Sequence, residues 1–314
     1  MTHLQPLIGE HTAQVSALWN AACGPDLAIS ERFAAYNLHE ATGATRAGRL
    51  AYVDGVPAGF VQVSAAASGA GADPSGWVDA IAVAPQHQNH GLGSELLIWA
   101  EAWLAEQGCS RVRLGGSLRP FAPGLPVALA RNDFFEHRGY RFQRAEWDVA
   151  RVLSGGVAAR ALPPEVSARP ACADDLAGLD AFLLREFPGR WRFEFQEFLR
   201  EAGRPSDYFL LWADGVLAGF ARLTVEDSER PIDRFYPQRL PRPWGQLGPL
   251  GVAAGLRGRG YGGVLVSAAL EQLRSQGVDG CIIDWTNLLD FYARFGFTPY
   301  RQYAVLLKAL TPAG

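Results

Sequence analysis

The chain has 314 residues, 48% of them hydrophobic and 19% charged, which excludes an intrinsically disordered protein and favours about two domains. Its formal net charge is -3, whereas nucleic-acid binders normally carry a basic excess, so no nucleic-acid partner is expected. Neither a membrane span nor a secretory signal is expected, because no apolar run reaches ~18 residues and the first residues lack a basic and then apolar region.

None of the four cysteines forms a CxxC pair, so the sequence favours a reduced, cytoplasmic location over a disulfide-stabilised secreted one. His87 and His90 lie three residues apart with no third ligand nearby. They are interpreted as solvated loop side chains, and no metal is expected.

The first half of the chain predicts a hairpin, a strand, a glycine-rich loop, a helix and a second strand. An Asp-Gly pair lies between the apolar runs of residues 51–60, which is typical of a tight hairpin turn. The apolar segment 81–83 precedes the glycine-rich loop 88–94, after which apolar residues recur at helical spacing up to Gly108. The short strand 111–114 follows.

The second half predicts the same elements in the same order. A Gly- and Pro-rich stretch, 154–164, is interpreted as a linker between the halves. An Asp-Gly pair again lies between apolar runs, in residues 212–220. The glycine-rich loop 257–263 leads into a helix that is predicted to end at Gly277, and the strand 281–284 follows.

Three blocks therefore recur: the hairpin, the strand with its loop, and the aromatic segments 134–140 and 291–297. Chance is a poor explanation, so we infer a tandem duplication, with domains at 1–153 and 165–314 joined by the linker 154–164. The expected fold class is α/β (α+β), in which each copy forms a mixed, mostly antiparallel sheet flanked by helices.

Each copy places the pattern Gln/Arg-x-x-Gly-x-Gly between an apolar strand and a helix. The N-terminus of a helix carries unpaired N–H groups and a positive dipole end, and glycines let the backbone approach a phosphate closely. The pattern favours a pyrophosphate cradle, with an ordinary glycine-rich turn as the alternative. A nucleotide-hydrolysing P-loop is excluded because the only lysine is Lys308.

The motif Val-x-x-x-x-Gln/Arg-x-x-Gly-x-Gly, followed by the aromatic segment, resembles the GNAT superfamily of acyl-CoA-dependent N-acetyltransferases. The resemblance covers both halves and therefore nearly the whole chain. It implies a tandem duplication of the GNAT fold, with acetyl-CoA bound as acyl donor in a cleft between two splayed strands. The pyrophosphate would lie on the loop amides and the pantetheine arm along the preceding strand, which also offers an amide to the thioester oxygen.

Carried over by motif, this resemblance implies one set of donor-binding residues in each copy. In the first copy they are Ile81, Ala82, Val83, Gln88, Asn89, His90, Gly91, Leu92, Gly93 and Ser94. In the second copy they are Leu250, Gly251, Val252, Arg257, Gly258, Arg259, Gly260, Tyr261, Gly262, Gly263 and Asn287. Asn287 stands closer to the aromatic segment than is usual in the family.

The family commonly uses a tyrosine in the aromatic segment to protonate the leaving thiolate. Tyr292 occupies that position in the second copy, and Phe135, which has no proton to give, occupies it in the first. The second copy is therefore expected to be catalytic, and the first to bind the donor without catalysis or to serve as a scaffold. A packed core tyrosine is the alternative interpretation of Tyr292.

The two copies differ at the position where the family often places a general base. The family often places a carboxylate on the strand before the loop, where the first copy has Asp79 and the second has Gly248. Asp284, at the end of the second copy's strand, is the substitute candidate, acting through water. A strand-end carboxylate without a catalytic role is the alternative.

Four aromatic residues fall at helical spacing between 187 and 198, namely Phe187, Trp191, Phe195 and Phe198. They predict one helix that either packs on the core or lines the acceptor cleft, which this region flanks in the family.

The leading hypothesis is an N-acetyltransferase that forms a ternary complex with acetyl-CoA and an amine, without a covalent enzyme intermediate. The alternative from another class is a non-catalytic acyl-CoA-binding or sensing protein. A third possibility keeps the fold with another donor, such as a longer acyl-CoA or an aminoacyl-tRNA. The acceptor is expected to be a small-molecule amine of unidentified structure, and the sequence leaves the oligomeric state undetermined.

Overall fold

The computed structural model describes residues 1–40, 42–66, 75–156 and 162–311. It divides into two compact units, unit 1 (Met1–Trp147 with Arg301–Gly314) and unit 2 (Asp148–Tyr300). This division differs from the expected domains at the end of the chain, because the last strand pairs within unit 1. The expected linker, 154–164, includes residues 157–161, which lie outside the described residues.

The elements of the first half comprise strands and four helices. The strands are β1 (Thr2–Pro6), β2 (Ala44–Val53), β3 (Val56–Ala66), β4 (Ser75–Val83), β5 (Arg111–Leu114), β6 (Leu125–Pro126) and β7 (Arg141–Val152). The helices are α1 (Thr12–Cys23), α2 (Glu31–Leu38), α3 (Leu92–Glu106) and α4 (Asn132–Glu136).

The elements of the second half follow the same order. The strands are β8 (Val166–Pro170), β9 (Tyr208–Ala213), β10 (Val216–Val225), β11 (Trp244–Val252), β12 (Gly280–Thr286) and β13 (Thr298–Ala309). The helices are α5 (Leu176–Glu186), α6 (Arg190–Arg200), α7 (Tyr261–Ser275) and α8 (Leu289–Ala293). No helix in the described ranges is long and apolar enough to cross a membrane.

The sheet of unit 1 has the order β1-β2-β3-β4-β5-β13, and that of unit 2 the order β7-β12-β11-β10-β9-β8. Most neighbours in these sheets are antiparallel, whereas β4 with β5 and β11 with β12 are parallel. The last strand joins unit 1 through pairs such as Leu307 with Arg113. The mixed, mostly antiparallel α/β architecture predicted from the sequence is confirmed.

Both predicted hairpins form, and the backbone shows why Asp-Gly is suited to them. Asp54 and Gly55 have φ of 49° and 83°, and Asp214 and Gly215 have 49° and 74°. Two consecutive residues at positive φ define a type I′ turn, whose twist matches that of the paired strands. The hairpins thus join β2 to β3 and β9 to β10.

Each sheet has helices on both faces, with apolar side chains between them. On one face, α3 in unit 1 and α7 in unit 2 bury the side chains Leu96, Leu97, Leu104, Leu265, Leu270 and Leu273. On the other face, α1 and α2 pack in unit 1 and α5 and α6 in unit 2, around buried aromatic residues. These residues are Trp19, Phe33, Phe60, Phe121, Phe182, Phe195, Phe198 and Phe220.

The prediction of one helix through residues 187–198 is wrong. Helix α5 ends at Glu186 and α6 begins at Arg190, because Phe187 leaves the helical conformation (φ -143°) before Pro188 and Gly189. Proline disfavours the helical conformation for the residue before it, and this local constraint overrides the aromatic spacing. The two segments meet at the edge of the candidate site.

Candidate active site

In each unit the parallel strand pair opens into a fork. In unit 1, β4 pairs with β5 as far as Val78 opposite Leu114, and Asp79 is then an extra residue in the pairing of β4 with β3. In unit 2, β11 pairs with β12 as far as Gln246, and the same irregularity follows at residues 248–249. We name residues 79–83 with 115–116 fork 1, and residues 248–252 with 284–286 fork 2.

The loop after each fork is tied to its strand by the first residue of the glycine-rich motif. Gln88 donates from Nε2 to the Val83 carbonyl oxygen at 2.9 Å, and Arg257 donates from Nε to the Val252 carbonyl oxygen at 3.2 Å. Glutamine and arginine therefore perform the same task in the two copies. That task is structural, although both residues were expected in the donor-binding set.

The two loops share an unusual backbone conformation. Asn89 and Gly91 have φ of 62° and 91°, and Gly258 and Gly260 have 79° and 86°. Gly91 and Gly260 each stand immediately before a helix, where the first N–H groups lack an acceptor within the helix. The unpaired amides and the positive dipole end of such a helix N-terminus suit an anion.

The aromatic segments pack against these loops. A carbon added at Gly93 would lie 3.3 Å from the Phe134 ring, and one added at Gly262 would lie 3.7 Å from Phe291. The loop and the aromatic segment, which recur together in the sequence, are therefore direct neighbours in both units.

Fork 1 opens into a cavity of about 400 Å³. Eight of the ten donor-binding residues expected for the first copy line it: Ile81, Ala82, Val83, Gln88, Asn89, Gly91, Gly93 and Ser94. Leu92 instead buries its side chain in the core of unit 1, and His90 is exposed on the loop. The cavity also has lining residues that sequence reasoning missed, among them Ala22, Cys23, Gly115, Arg131 and Arg138.

Two guanidinium groups stand beside the loop of fork 1. Arg138 stacks on Phe134, 3.9 Å from the ring centre, and donates to the Ser94 hydroxyl at 2.6 Å. Arg131 donates to the Gln88 side-chain oxygen at 3.0 Å. Both arginines therefore add positive charge where the loop amides already favour an anion.

The carboxylate of fork 1 is part of a buried ion pair. Asp79 accepts from the Ser64 hydroxyl at 2.8 Å and from Arg46 at 3.3 Å, and its side chain is fully buried. Burial raises the pKa of the Asp79 carboxyl, and Arg46 opposes this shift by favouring the charged form. With its oxygens occupied, Asp79 is suited to holding strands together rather than to accepting a proton.

The carboxylate of fork 2 comes from the opposite strand. Asp284, on β12, accepts from Gln246 Nε2 at 2.6 Å, and a carbon added at Gly248 would lie 3.6 Å from its Oδ1. Gly248 stands where unit 1 has Asp79, and Gly115 stands where unit 2 has Asp284. Each fork thus carries one carboxylate, on β4 in fork 1 and on β12 in fork 2, and a glycine at the equivalent position on the other side of the fork.

Tyr292 belongs to the same neighbourhood. It lies on α8, is 6% exposed, and packs against Phe291 and Phe297. Burial, and then the negative charge of Asp284, raise the pKa of the Tyr292 hydroxyl, so it keeps its proton near neutral pH. The charge of Asp284 therefore acts on the Tyr292 hydroxyl within unit 2.

The other residues expected at fork 2 follow the strand and loop. Leu250 and Val252 pack toward α7, and Gly251 faces the side of α5 and α6. The loop residues Arg257, Gly258, Arg259 and Gly260 are exposed, Tyr261 and Gly262 are half-buried, and Gly263 is buried. Asn287 is exposed just beyond β12. Among the residues that the structure describes, no three His, Cys, Asp or Glu side chains are grouped to hold a metal ion.

The model of the acetyltransferase (GNAT) family matches the chain twice, at residues 14–119 and 176–297. No curated protein sequence matches the chain.

Solved structures match the whole chain in fold. A GCN5-related N-acetyltransferase from Sphaerobacter thermophilus is 17% identical, with 100% of this chain and 97% of that chain covered and a TM-score of 0.73. A tandem GNAT protein from the clavulanic acid biosynthesis pathway is 16% identical, with 100% of both chains covered and the same TM-score of 0.73.

A third structure is the glucosamine N-acetyltransferase region of a fungal multi-domain β-N-acetylglucosaminidase. It is 24% identical over 98% of this chain, with a TM-score of 0.86. This chain spans 38% of the length of that protein.

Proposed function

The chain belongs to the acetyltransferase (GNAT) family, and we propose that it transfers an acetyl group from acetyl-CoA to the primary amine of a small molecule. The family uses acyl-CoA as donor and carries the acyl group to an amine. The acetyl donor, the small-molecule acceptor and the residues that act on them are the parts of this proposal that need testing.

The observation that carries the proposal is the fork with its loop, which is present twice, with left-handed residues at the same two positions of the loop. A strand edge that has lost its parallel neighbour can pair with the amide groups of a pantetheine arm, at residues 81–83 and 250–252. The adjoining helix N-terminus can hold the pyrophosphate. The cavity of fork 1, with Arg131 and Arg138 beside it, fits such a ligand.

We assign the chemistry to fork 2. The amine nitrogen attacks the thioester carbonyl, the new C–N bond forms, and the C–S bond breaks to release CoA. A backbone amide of β11 stabilises the charge on the carbonyl oxygen. Asp284 receives the proton of the attacking nitrogen through a water molecule, and Tyr292 donates its proton to the leaving thiolate.

The roles of Asp284 and Tyr292 depend on each other. A tyrosine hydroxyl with a raised pKa is a weaker acid than a thiol, so its proton moves to sulfur only as the nitrogen loses its own. Burial, and then the negative charge of Asp284, keep Tyr292 protonated until that moment. The enzyme returns to its starting state when the proton that Asp284 received from nitrogen passes through water to the Tyr292 phenolate, which replaces the proton given to sulfur.

The test is turnover of acetyl-CoA with a panel of amines, beginning with glucosamine because the fungal structure is named for it. In Tyr292→Phe, kcat should fall by roughly 10²- to 10⁴-fold with little change in KM for acetyl-CoA. Tyr52→Phe, which removes one hydroxyl from β2 of unit 1, is the matched control and should keep full activity.

Unchanged kcat in Tyr292→Phe would remove the role assigned to this residue. Acetyl-CoA binding without turnover on any amine would contradict the proposed transfer and favour an acyl-CoA-binding protein. Absence of acetyl-CoA binding would contradict the donor.

A further inference from the structure

Phe187, which follows α5, lies directly on the backbone of fork 2. A carbon added at Gly251 would be 2.5 Å from Phe187 Cζ, so the ring edge touches β11 in the middle of segment 250–252. The side chain is only half-buried, and Pro188 and Gly189 separate it from α6. A bulky ring therefore covers the face of β11 at Gly251, beside the strand edge assigned to the donor.

The ring is held by its neighbours on three sides. Trp191 and Phe220 lie 4.8 Å and 5.6 Å from it, measured between ring centres. The Arg257 guanidinium lies 5.7 Å from the ring centre. Beside it, Glu186 accepts from the Ala254 amide at 2.9 Å, which fastens the end of α5 to the loop after β11.

The corresponding position in unit 1 is open. Helices α1 and α5 each follow a short 3₁₀ turn, Gly9–His11 and Ala173–Asp175. When the two units are aligned on these turns, Cys23 occupies the position of Phe187. The repeated motif matches Ala82 to Gly251. Cys23 and Ala82 both line the cavity of fork 1. The same place thus holds a small thiol beside open space in unit 1 and an aromatic ring in unit 2.

We propose that Phe187 is a gate over fork 2, and that its small counterpart Cys23 leaves fork 1 ready for acyl-CoA. The inference rests on the proposed function, because it takes acyl-CoA as the ligand of both forks. Fork 1 binds the donor directly, whereas fork 2 binds it only when the ring leaves Gly251. Affinity at a site falls in proportion to the fraction of molecules in the open state, so fork 2 is the weaker site.

Calorimetric titration with acetyl-CoA, in the absence of any amine, tests the gate. The wild-type protein should show one tight and one weaker site. In Phe187→Cys the weaker site should tighten by about tenfold, as expected if the open state is about a tenth of the wild-type population. Leu184→Cys, which introduces the same thiol at an exposed position of α5, should leave both sites unchanged.

The reciprocal exchange tests the same idea in unit 1. Cys23→Phe should abolish the tight site and keep the weaker one, whereas Ala21→Phe, which places the same ring at an exposed position of α1, should bind like the wild type. Phe187→Leu provides a variant with less loss of packing, and thermal unfolding of each variant establishes that it is folded.

The outcomes separate the gate from the proposed function. A weaker site that is unchanged in folded Phe187→Cys and Phe187→Leu, with fork 1 still binding, would overturn the gate alone. Two equally tight sites in the wild type would also overturn it. Failure of every variant and of the wild type to bind acetyl-CoA would overturn both proposals.

Discussion

Fork 1 and fork 2 have the same strand pattern and different chemistry. In fork 1 the carboxylate is Asp79 on β4, paired with the buried Arg46, and Gly115, directly after β5, stands at the position that Asp284 occupies on β12. In fork 2 the carboxylate is Asp284 on β12, half-buried and bonded to Gln246, and the facing position is Gly248. The carboxylate therefore lies on a different strand in each fork, and its neighbouring side chains differ.

The comparison indicates which features a duplicated site retains and which it can alter. The left-handed loop residues, the helix N-terminus and the aromatic neighbour of the loop are the same in both forks. These features form the anion cradle, so their identity supports donor binding in both units. The side chains at the opening differ: Phe135 against Tyr292, and Cys23 against Phe187. The proposed division of labour, with an open fork 1 and a gated, reactive fork 2, rests on these differences.

The largest expected effect comes from separating the two halves at the boundary that the sequence suggests. Residues 1–153 alone lack the whole of β13, whose side chains Tyr303, Val305 and Leu306 are at most 1% exposed. Burying a side chain such as Val305 or Leu306 contributes about 1.5–3 kcal/mol, against a total stability of about 5–15 kcal/mol for a typical domain. The fragment 1–153 is therefore expected to show no cooperative thermal unfolding.

The same fragment extended through a flexible Gly/Ser linker to residues 298–311 is the control, and it should regain a cooperative transition. A cooperative transition in 1–153 alone would show that β13 is dispensable to unit 1.

The next largest expected effect is a loss of protein stability, which should distinguish replacement of Asp79 from replacement of Asp284. Asp79→Leu leaves the Arg46 charge buried without its partner, which is expected to lower the free energy of unfolding by about 3–5 kcal/mol. Asp284→Asn keeps an oxygen for Gln246, and should change that free energy by less than about 1 kcal/mol while lowering kcat. Urea unfolding and steady-state kinetics on both variants give the two quantities. Equal losses of stability would remove the distinction between a structural and a chemical carboxylate.

Much of this arrangement could be predicted from the sequence because it is encoded locally. Asp54, Gly55 and Gly91 belong to residue types that adopt positive φ, so a few adjacent residues predict the hairpin and the loop. The repetition of these residues in the second half predicted the second domain. Tyr292 was singled out by the spacing of the aromatic segment, and Asp284 by its position at the end of the strand 281–284.

The features that were missed depend on partners distant in sequence or on competing local signals. The ion pair of Asp79 needs Arg46, which belongs to another strand, and the membership of β13 in unit 1 depends on its pairing with β5. Arg138 lies in the aromatic segment, but only its stacking on Phe134 brings it to Ser94. At Phe187 the aromatic spacing predicts a continuous helix, whereas Pro188 disfavours the helical conformation there, and the structure follows the proline.

The smallest expected effect concerns pH and sharpens the assignment of Tyr292. An ordinary tyrosine ionises near pH 10, but burial and the charge of Asp284 raise the pKa of Tyr292 above that value. At saturating substrates, kcat should therefore hold its value up to pH 10 instead of falling as the acid is lost. The unfolded chain ionises this tyrosine first, so the stabilising effect of the neutral hydroxyl is complete below pH 10 and is lost as pH rises further. A fall of kcat centred near pH 10 in the wild type, absent from the residual activity of Tyr292→Phe, would mean that burial and the charge of Asp284 do not raise the pKa of Tyr292.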